Sequence, residues 1–278
     1  LLREHLFEFD INYYRPLSEP TRFIEALVSL FSRVKDEDIS PEEYIKYAQD
    51  LMIKAKQTPT DEALNEQATQ QMEIACAFAK FQEILAKQGK VDFGNQFYLA
   101  LKLLRGHPLV LKRYQEQFKY ILVDEFQDTN VAQYQIIKLL AGNSKNITVV
   151  SDDDQAVYRF RGAAYSNILT FMQDFPEAKK VSLIQNYRSP QPILEAAYRL
   201  IQYNNPERFE VKANINKRLI GRSPEGKPPQ HLHFDTNSTE ADHVAKMIQE
   251  KVKKEKFQYK DFAILVRSNS DAEPFLQA

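Results

Sequence analysis

The chain has 278 residues, 43% of them hydrophobic, and a formal net charge of −1. A chain of this size can bury a sizeable core, and no apolar stretch approaches the roughly 18 residues that a membrane helix needs. The single cysteine excludes an intrachain disulfide framework. The charge argues against a uniformly basic nucleic-acid surface, although a local positive channel is compatible with it. These features predict a soluble, cytoplasmic protein.

The first 90 residues have a helical pattern. Ser40-Pro41-Glu42-Glu43 is a capping box with proline at the first helical position, and it predicts a helix through about Ile53. A break follows at Thr58-Pro59-Thr60. Apolar residues then recur at three- and four-residue steps from Leu64 to Leu85, which predicts one long amphipathic helix.

From Val91 onward the pattern changes to strands alternating with helices, which is typical of a parallel sheet with crossover connections. Short apolar runs predict strands at residues 120–123, 147–150, 181–184, 231–234 and 262–266. Helices are predicted at residues 130–140, 189–201 and 239–254. Asn130 is the expected cap of the first of these helices and Gly142 its C-terminal stop, and residues 222–229 are expected to form a loop.

Two adjacent carboxylates, Asp124 and Glu125, follow the first predicted strand. Open α/β sheets bind ligands just beyond the carboxyl ends of their parallel strands, so we expect both side chains at such an edge. Asp124 offers the hard oxygen ligands that Mg²⁺ prefers, and Glu125 can orient or deprotonate water for attack on a phosphoryl group. This is the layout of a Walker B motif. The alternative is a solvated acidic cluster at a helix start.

Two further motifs follow the next two predicted strands. Residues 151–163 read SDDDQAVYRFRGA, and residues 185–190 read QNYRSP. Taken in order with DEFQDTN at 124–130, they resemble the motifs of the UvrD/PcrA/Rep-like superfamily I DNA helicases. Two positions depart from the family's usual residues, since Ser151 stands in place of Gly and Phe160 in place of Trp. The Phe160 ring keeps a stacking face but has less area.

The resemblance implies a particular fold and activity. The fold class is α/β, with partial RecA-like P-loop NTPase lobes, each a parallel sheet with flanking helices, plus an α-helical 1B-like subdomain. The implied domains are residues 1–90 (1B-like), 91–184 (second part of the first lobe) and 185–278 (first part of the second lobe). The implied activity is that of an ATP-dependent DNA helicase or translocase with 3′–5′ polarity. It would use ATP and Mg²⁺ and act on single-stranded and duplex DNA.

Roles for individual residues are also implied by the resemblance. Asp124 resembles the Mg²⁺ ligand, Glu125 the catalytic base and Gln155 the residue that senses the γ-phosphate. Tyr187 resembles the ring that stacks on adenine, and Arg188 an arginine finger whose planar fork of donors follows charge in the transition state. DNA contacts, through base stacking or polar groups, are implied for Tyr158, Phe160, Arg267 and Asn269.

The chain does not contain the phosphate loop that such helicases need. A P-loop has the pattern G-x-x-x-x-G-K-[ST], in which backbone N–H groups cradle the phosphates and the lysine reaches the β and γ oxygens. Two glycine pairs, Gly89/Gly94 and Gly221/Gly226, have the required spacing. Asn95 stands where the lysine is needed after the first pair, and Pro228 stands where Ser or Thr is needed after Gly226-Lys227. We therefore expect this chain to be an internal fragment that lacks ATPase activity by itself.

Two other classes of function stay open at this point. A non-catalytic module that binds DNA or a partner protein fits the missing loop. A metal-dependent nuclease would hold two ions with Asp124, Glu125 and the cluster Asp152–Asp154, although it would not explain the aromatic and arginine motifs. The same cluster also reads as a simple charged turn.

Overall fold

The computed structural model describes residues 1–156, 166–206, 208–223 and 225–278. Within those ranges the chain forms two compact units. The first unit consists of Leu1–Val181 and Pro206–Ile215, and the second of Ser182–Asn205 and Asn216–Ala278. No helix in the described ranges combines the length and the apolarity that crossing a bilayer requires.

The first unit begins with helices, as its sequence predicts. They are α1 (Ile24–Asp36), α2 (Pro41–Gln57) and α3 (Glu62–Lys87). The expected capping box starts α2: the Glu43 N–H donates to Ser40 Oγ at 3.1 Å, and the Ser40 N–H donates to Glu43 Oε2 at 2.8 Å. The core between the helices is aromatic, since the Phe31 ring lies 5.5 Å from Phe78 and 5.3 Å from Phe81, centroid to centroid.

Two helices occupy most of residues 93–117, so the alternation of strands and helices begins later than the predicted Val91. The helices are α4 (Phe93–Gly106) and α5 (Pro108–Gln117). The Asp92 side chain caps α4 by accepting a bond of 2.8 Å from the Asn95 N–H, and Pro108 occupies the first turn of α5. These local start signals favour helices, and the first strand begins only at Ile121.

The first two predicted strands pair in parallel. In β1 (Ile121–Val123) and β2 (Ile147–Val149), Ile121 is aligned with Ile147 and Val123 with Val149. The connection contains α6 (Val131–Ala141), which Asn130 caps and after which Gly142 takes a positive φ of 47°. Glycine takes this backbone conformation without steric cost. Both predicted ends of the helix are therefore confirmed to within one residue.

An aromatic core fixes the segment that follows β1. The ring of Phe126, which is fully buried, lies 5.6 Å from those of Tyr134 in α6 and Phe171 in α7 (Ser166–Asp174). Burying one such ring contributes roughly 1.5–3 kcal/mol. The carboxylates at 124 and 125 are consequently attached to a tightly packed residue.

The second unit has a smaller sheet. β3 (Gln185–Asn186) pairs in parallel with β4 (Ile220–Gly221), and the unit also contains α8 (Gln191–Ile201), α10 (Asn237–Lys254) and α11 (Glu273–Gln277). A short helix α9 (Phe209–Lys212) belongs to the first unit. The predicted helices at 189–201 and 239–254 are confirmed, and α10 begins after its cap at Thr236.

Three predicted strands, at 181–184, 231–234 and 262–266, are not formed among the described residues. A strand needs a neighbouring strand for its N–H and C=O groups. Ile184 O accepts one bond of 2.8 Å from the Ile220 N–H, but the Val181 and Leu183 side chains are each 78% exposed. The α/β class with parallel strands and flanking helices is confirmed at this coarse level, with short sheets.

Candidate functional site

The acidic pair lies directly after β1, as predicted. Asp124 and Glu125 are both exposed, and Glu125 has a left-handed backbone with φ of 48° and ψ of 41°. This region costs a residue with a Cβ about 1–2 kcal/mol, and such outliers cluster at functional sites. The Glu125 N–H donates to Asp124 Oδ1 at 3.0 Å, which ties the Asp124 side chain to the turn.

A buried amide that the sequence analysis overlooked holds this turn in place. Gln127 is only 1% exposed, and its Nε2 donates to Glu125 Oε2 at 2.6 Å. Its Oε1 accepts bonds from Ser151 Oγ at 3.2 Å and from the Asp152 N–H at 3.0 Å. Gln127 thus joins the acidic pair to the segment that follows β2. In the sequence, Gln127 is only a glutamine inside an acidic motif. Its role becomes visible once β1 pairs with β2, because that pairing brings Ser151 and Asp152 next to it.

The rest of the DEFQDTN segment is bonded to α7. The Asn167 side chain, 3% exposed, donates to Thr129 O at 3.0 Å and to Asn130 O at 3.1 Å. Burial, together with repulsion from the Glu125 carboxylate, raises the pKa of Asp128. The segment is therefore held by buried hydrogen bonds on the side that faces the core, while Asp124 and Glu125 are exposed to solvent.

The cluster Asp152–Asp154 brings three carboxylates within 4.8 Å of one another, and all three are bonded within the protein. Asp154 accepts two bonds of 2.7 Å from the guanidinium of Arg208, and Asp153 accepts one of 2.7 Å from the Phe209 N–H. Asp152 accepts a bond of 2.8 Å from the Gln155 side chain. These contacts favour the charged-turn interpretation over a two-metal centre.

Arg208 was also missed by the sequence analysis. It is 4% exposed and contacts Glu210 at 2.7 Å in addition to Asp154. The bonds to Asp154, followed by the charges of both carboxylates, raise the pKa of Arg208. The segment 206–215 is thereby anchored beside the motif that contains Gln155, whose own side chain is exposed.

In the second unit, Asn186 shapes the turn that carries Tyr187 and Arg188. Its Oδ1 accepts bonds from the Arg188 N–H at 3.0 Å and the Ser189 N–H at 2.8 Å, an arrangement typical of an Asx turn. The Tyr187 ring is 76% exposed as a result. A pocket of about 440 Å³ is lined by Tyr187, Arg188, Ser189, Pro190, Arg222 and Ser223.

The four residues expected at DNA have two different outcomes. Tyr158 and Phe160 lie outside the described residues, so their role stays a prediction. Arg267 and Asn269 are exposed, and Asn269 begins a single turn of 3₁₀ helix. Their contact with DNA is likewise a prediction.

Parallel strands that end in acidic residues, with a helix on the connection, define an α/β protein whose ligand edge is at the strands' carboxyl ends. Residues 3–176 match the model of the UvrD/REP helicase N-terminal domain, and residues 181–278 match that of the UvrD-like helicase C-terminal domain. The chain belongs to the UvrD/Rep helicase family, which implies a RecA-like fold.

Individual relatives agree with this assignment. The chain is 36% identical over 263 residues to the ATP-dependent DNA helicase PcrA of Leuconostoc citreum, covering 95% of this chain and 31% of the relative. The PcrA of Staphylococcus epidermidis is 35% identical over 254 residues, covering 91% and 31%. That of Staphylococcus aureus is 39% identical over 201 residues, covering 72% and 26%. The chain spans about a third of the length of these relatives.

Proposed function

We propose that this chain is part of an ATP-dependent DNA helicase that couples ATP hydrolysis to 3′–5′ movement on single-stranded DNA. The observation that carries the proposal is the acidic pair Asp124–Glu125 at the end of a parallel strand, held by Gln127 to the segment that leads to Gln155. A structural acidic cluster would not need a buried amide to orient one of its carboxylates.

In this proposal the two carboxylates have separate tasks. Asp124 is exposed at the strand end and presents the hard oxygen donors that suit Mg²⁺, which supplies charge neutralisation at the phosphates when bound. Glu125, which is exposed beside it, accepts the proton of the attacking water. Gln155 follows the β2 strand at the same edge and would contact the γ-phosphate through its exposed amide.

Tyr187 and Arg188 supply the nucleotide contacts of the second unit. The exposed Tyr187 ring offers a face for the adenine, and the Arg188 guanidinium offers paired donors for the γ-phosphate. Both belong to one pocket, which supports a shared ligand. We further propose DNA contacts for Tyr158, Phe160, Arg267 and Asn269, and a 1B-like role for the helices of residues 1–90.

The nuclease alternative receives no support from the acidic cluster. A two-metal centre needs carboxylate oxygens that can face the ions. Asp153 and Asp154 instead bind the segment at 208–209, and Asp152 binds Gln155. In the helicase proposal, the same contacts hold in place the segment that contains Gln155.

The experiment that tests the proposal replaces Glu125 in the complete protein from which this chain derives. Glu125→Gln keeps the size and a hydrogen-bonding oxygen but cannot accept a proton readily, so DNA-stimulated ATP hydrolysis should fall by roughly 10²-fold or more. Binding of ATP and of DNA should survive, and unwinding should be lost. Glu116→Gln on the exposed face of α5 is the matched control and should retain activity. Near-normal ATPase of the Glu125 variant would contradict the proposal.

A further inference from the structure

Arg222 lies beside Tyr187, although it is outside the QNYRS motif. β3 and β4 align Asn186 with Gly221, so Tyr187 and Arg222 are the next pair in the register. The Arg222 N–H donates to Asn186 O at 3.0 Å, which continues the parallel ladder by one bond. Neighbouring strands are about 4.8 Å apart, so the two residues are adjacent along the wall of the pocket.

Two glycines allow the Arg222 segment to press against the Tyr187 turn. A Cβ on Gly221 would lie 3.0 Å from Ser189 O and 3.1 Å from the Gln191 N atom. A Cβ on Gly226 would lie 2.5 Å from Pro190 Cβ. A larger residue at either position would require a shift of the Tyr187 turn, so close packing at the two glycines helps to set the position of Arg222.

Two arginines line the pocket, and neither forms an ion pair with a described residue. Within the part of the chain that the structure describes, no carboxylate lies within 4.0 Å of the Arg188 or Arg222 guanidinium, and both side chains line the pocket. Arg218, on the same segment, is instead paired with Glu195 at 2.9 Å. Two unpaired guanidinium groups beside an exposed ring match a ligand that is both aromatic and anionic.

We propose that Arg222 binds phosphate oxygens of the nucleotide whose base stacks on Tyr187. The inference rests on the proposed function, since it assumes that the Tyr187 pocket holds ATP. The pocket volume of about 440 Å³ is in the range of small-molecule sites. Arg188 and Arg222 divide the phosphate chain between them, and Arg222 thereby selects nucleotides that carry phosphates over free nucleosides.

The test measures the affinity of the 278-residue chain for ATP, adenosine and inorganic triphosphate by ligand-observed NMR titration. Arg222→Gln should weaken ATP and triphosphate binding by about tenfold, the loss of one charge-assisted hydrogen bond. Adenosine binding should not change. Arg222→Lys, which keeps the charge, should recover part of the loss. Arg199→Gln removes the same charge from an exposed position on α8 and should behave as wild type.

Two further variants, Tyr187→Ala and Arg188→Gln, test the nucleotide pocket of the proposed function and separate two kinds of failure. If Tyr187→Ala and Arg188→Gln weaken ATP binding while Arg222→Gln does not, the role of Arg222 is wrong and the nucleotide pocket stands. If the wild-type chain binds no ATP at millimolar concentration, or if Tyr187→Ala and Arg188→Gln change nothing, the pocket and the inference both fail. An equal loss for adenosine in Arg222→Gln would place Arg222 against the base and overturn the phosphate contact.

Discussion

In the first unit, Gln127 and Arg208 hold the acidic segments through bonds of 2.6 to 3.2 Å, whereas in the second unit the guanidinium groups of Arg188 and Arg222 have no carboxylate partner among the described residues. Fixed polar groups cost no reorganisation when charge develops in a reaction. Side chains without partners must be ordered by the ligand, and that ordering reduces affinity. Under the proposed function, the first region holds its polar groups in place before the reaction, and the second orders its guanidinium groups only when the nucleotide binds.

The largest expected effect comes from replacing an arginine by alanine in each region and comparing the loss of stability. Arg208→Ala should lower the free energy of unfolding of the first unit by about 3 kcal/mol or more, because it removes a buried guanidinium that pairs with two partly buried carboxylates, Asp154 and Glu210. Arg222→Ala should change stability by less than about 0.5 kcal/mol, since the side chain is exposed. Urea denaturation followed by circular dichroism measures both. Equal effects would erase the contrast between the regions.

A smaller effect is expected from Gln127→Met, which keeps the volume of the side chain and removes its polar atoms. The buried bonds to Glu125, Ser151 and the Asp152 N–H are lost, so stability should fall by about 2 kcal/mol. Gln57→Met at the exposed end of α2 serves as the control and should be nearly neutral. If Gln127→Met leaves the free energy of unfolding unchanged in the same urea measurement, the bonds of Gln127 do not stabilise the acidic turn.

The smallest effect concerns the charge of Asp174, which lies in the first unit. Burial alone would raise the pKa of Asp174, but bonds of 2.7 Å from Lys138 Nζ and Tyr134 Oη outweigh it and lower the pKa below the ordinary value of 3.8. The folded state therefore binds this proton less readily than the unfolded state. The resulting stability is present above pH 3.8 and is lost as the pH falls below that value.

Two variants check this linkage. Asp174→Asn should flatten the fall of stability below pH 3.8 in unfolding curves measured at a series of pH values. Tyr134→Phe should cost about 1 kcal/mol near neutral pH, because it removes one bond to the carboxylate. If the dependence of stability on pH is unchanged in Asp174→Asn, other carboxylates determine the loss of stability at low pH.

Local signals account for the features that the sequence predicts well. The capping box at Ser40, the cap at Asn130 and the stop at Gly142 each act within one helical turn, so the residues themselves specify them. The placement of Asp124 and Glu125 follows equally from the short apolar run that they terminate. Motif order then identifies the family, because each motif is read along the chain.

The features that the sequence does not reveal depend on distant partners. Gln127 meets Ser151 across 24 positions and Arg208 meets Asp154 across 54 positions, so neither role is visible before the strands and segments are paired. Arg222 becomes part of the Tyr187 pocket only through the pairing of β3 with β4. The apolar run at 262–266 has strand character, yet nothing along the chain tells whether a neighbouring strand will lie beside it.

The return of residues 206–215 to the first unit has a practical consequence for dissecting the molecule. The polypeptide passes from one unit to the other after Val181, after Asn205 and again after Ile215. A gene segment that ends at Val181 would encode the first unit without Arg208, and Asp154 would lose its buried cation. A segment that starts at Ser182 would carry Arg208 and Glu210 but not Asp154. The intact first unit therefore has to be assembled from two stretches of the chain, either joined by an artificial linker or expressed together.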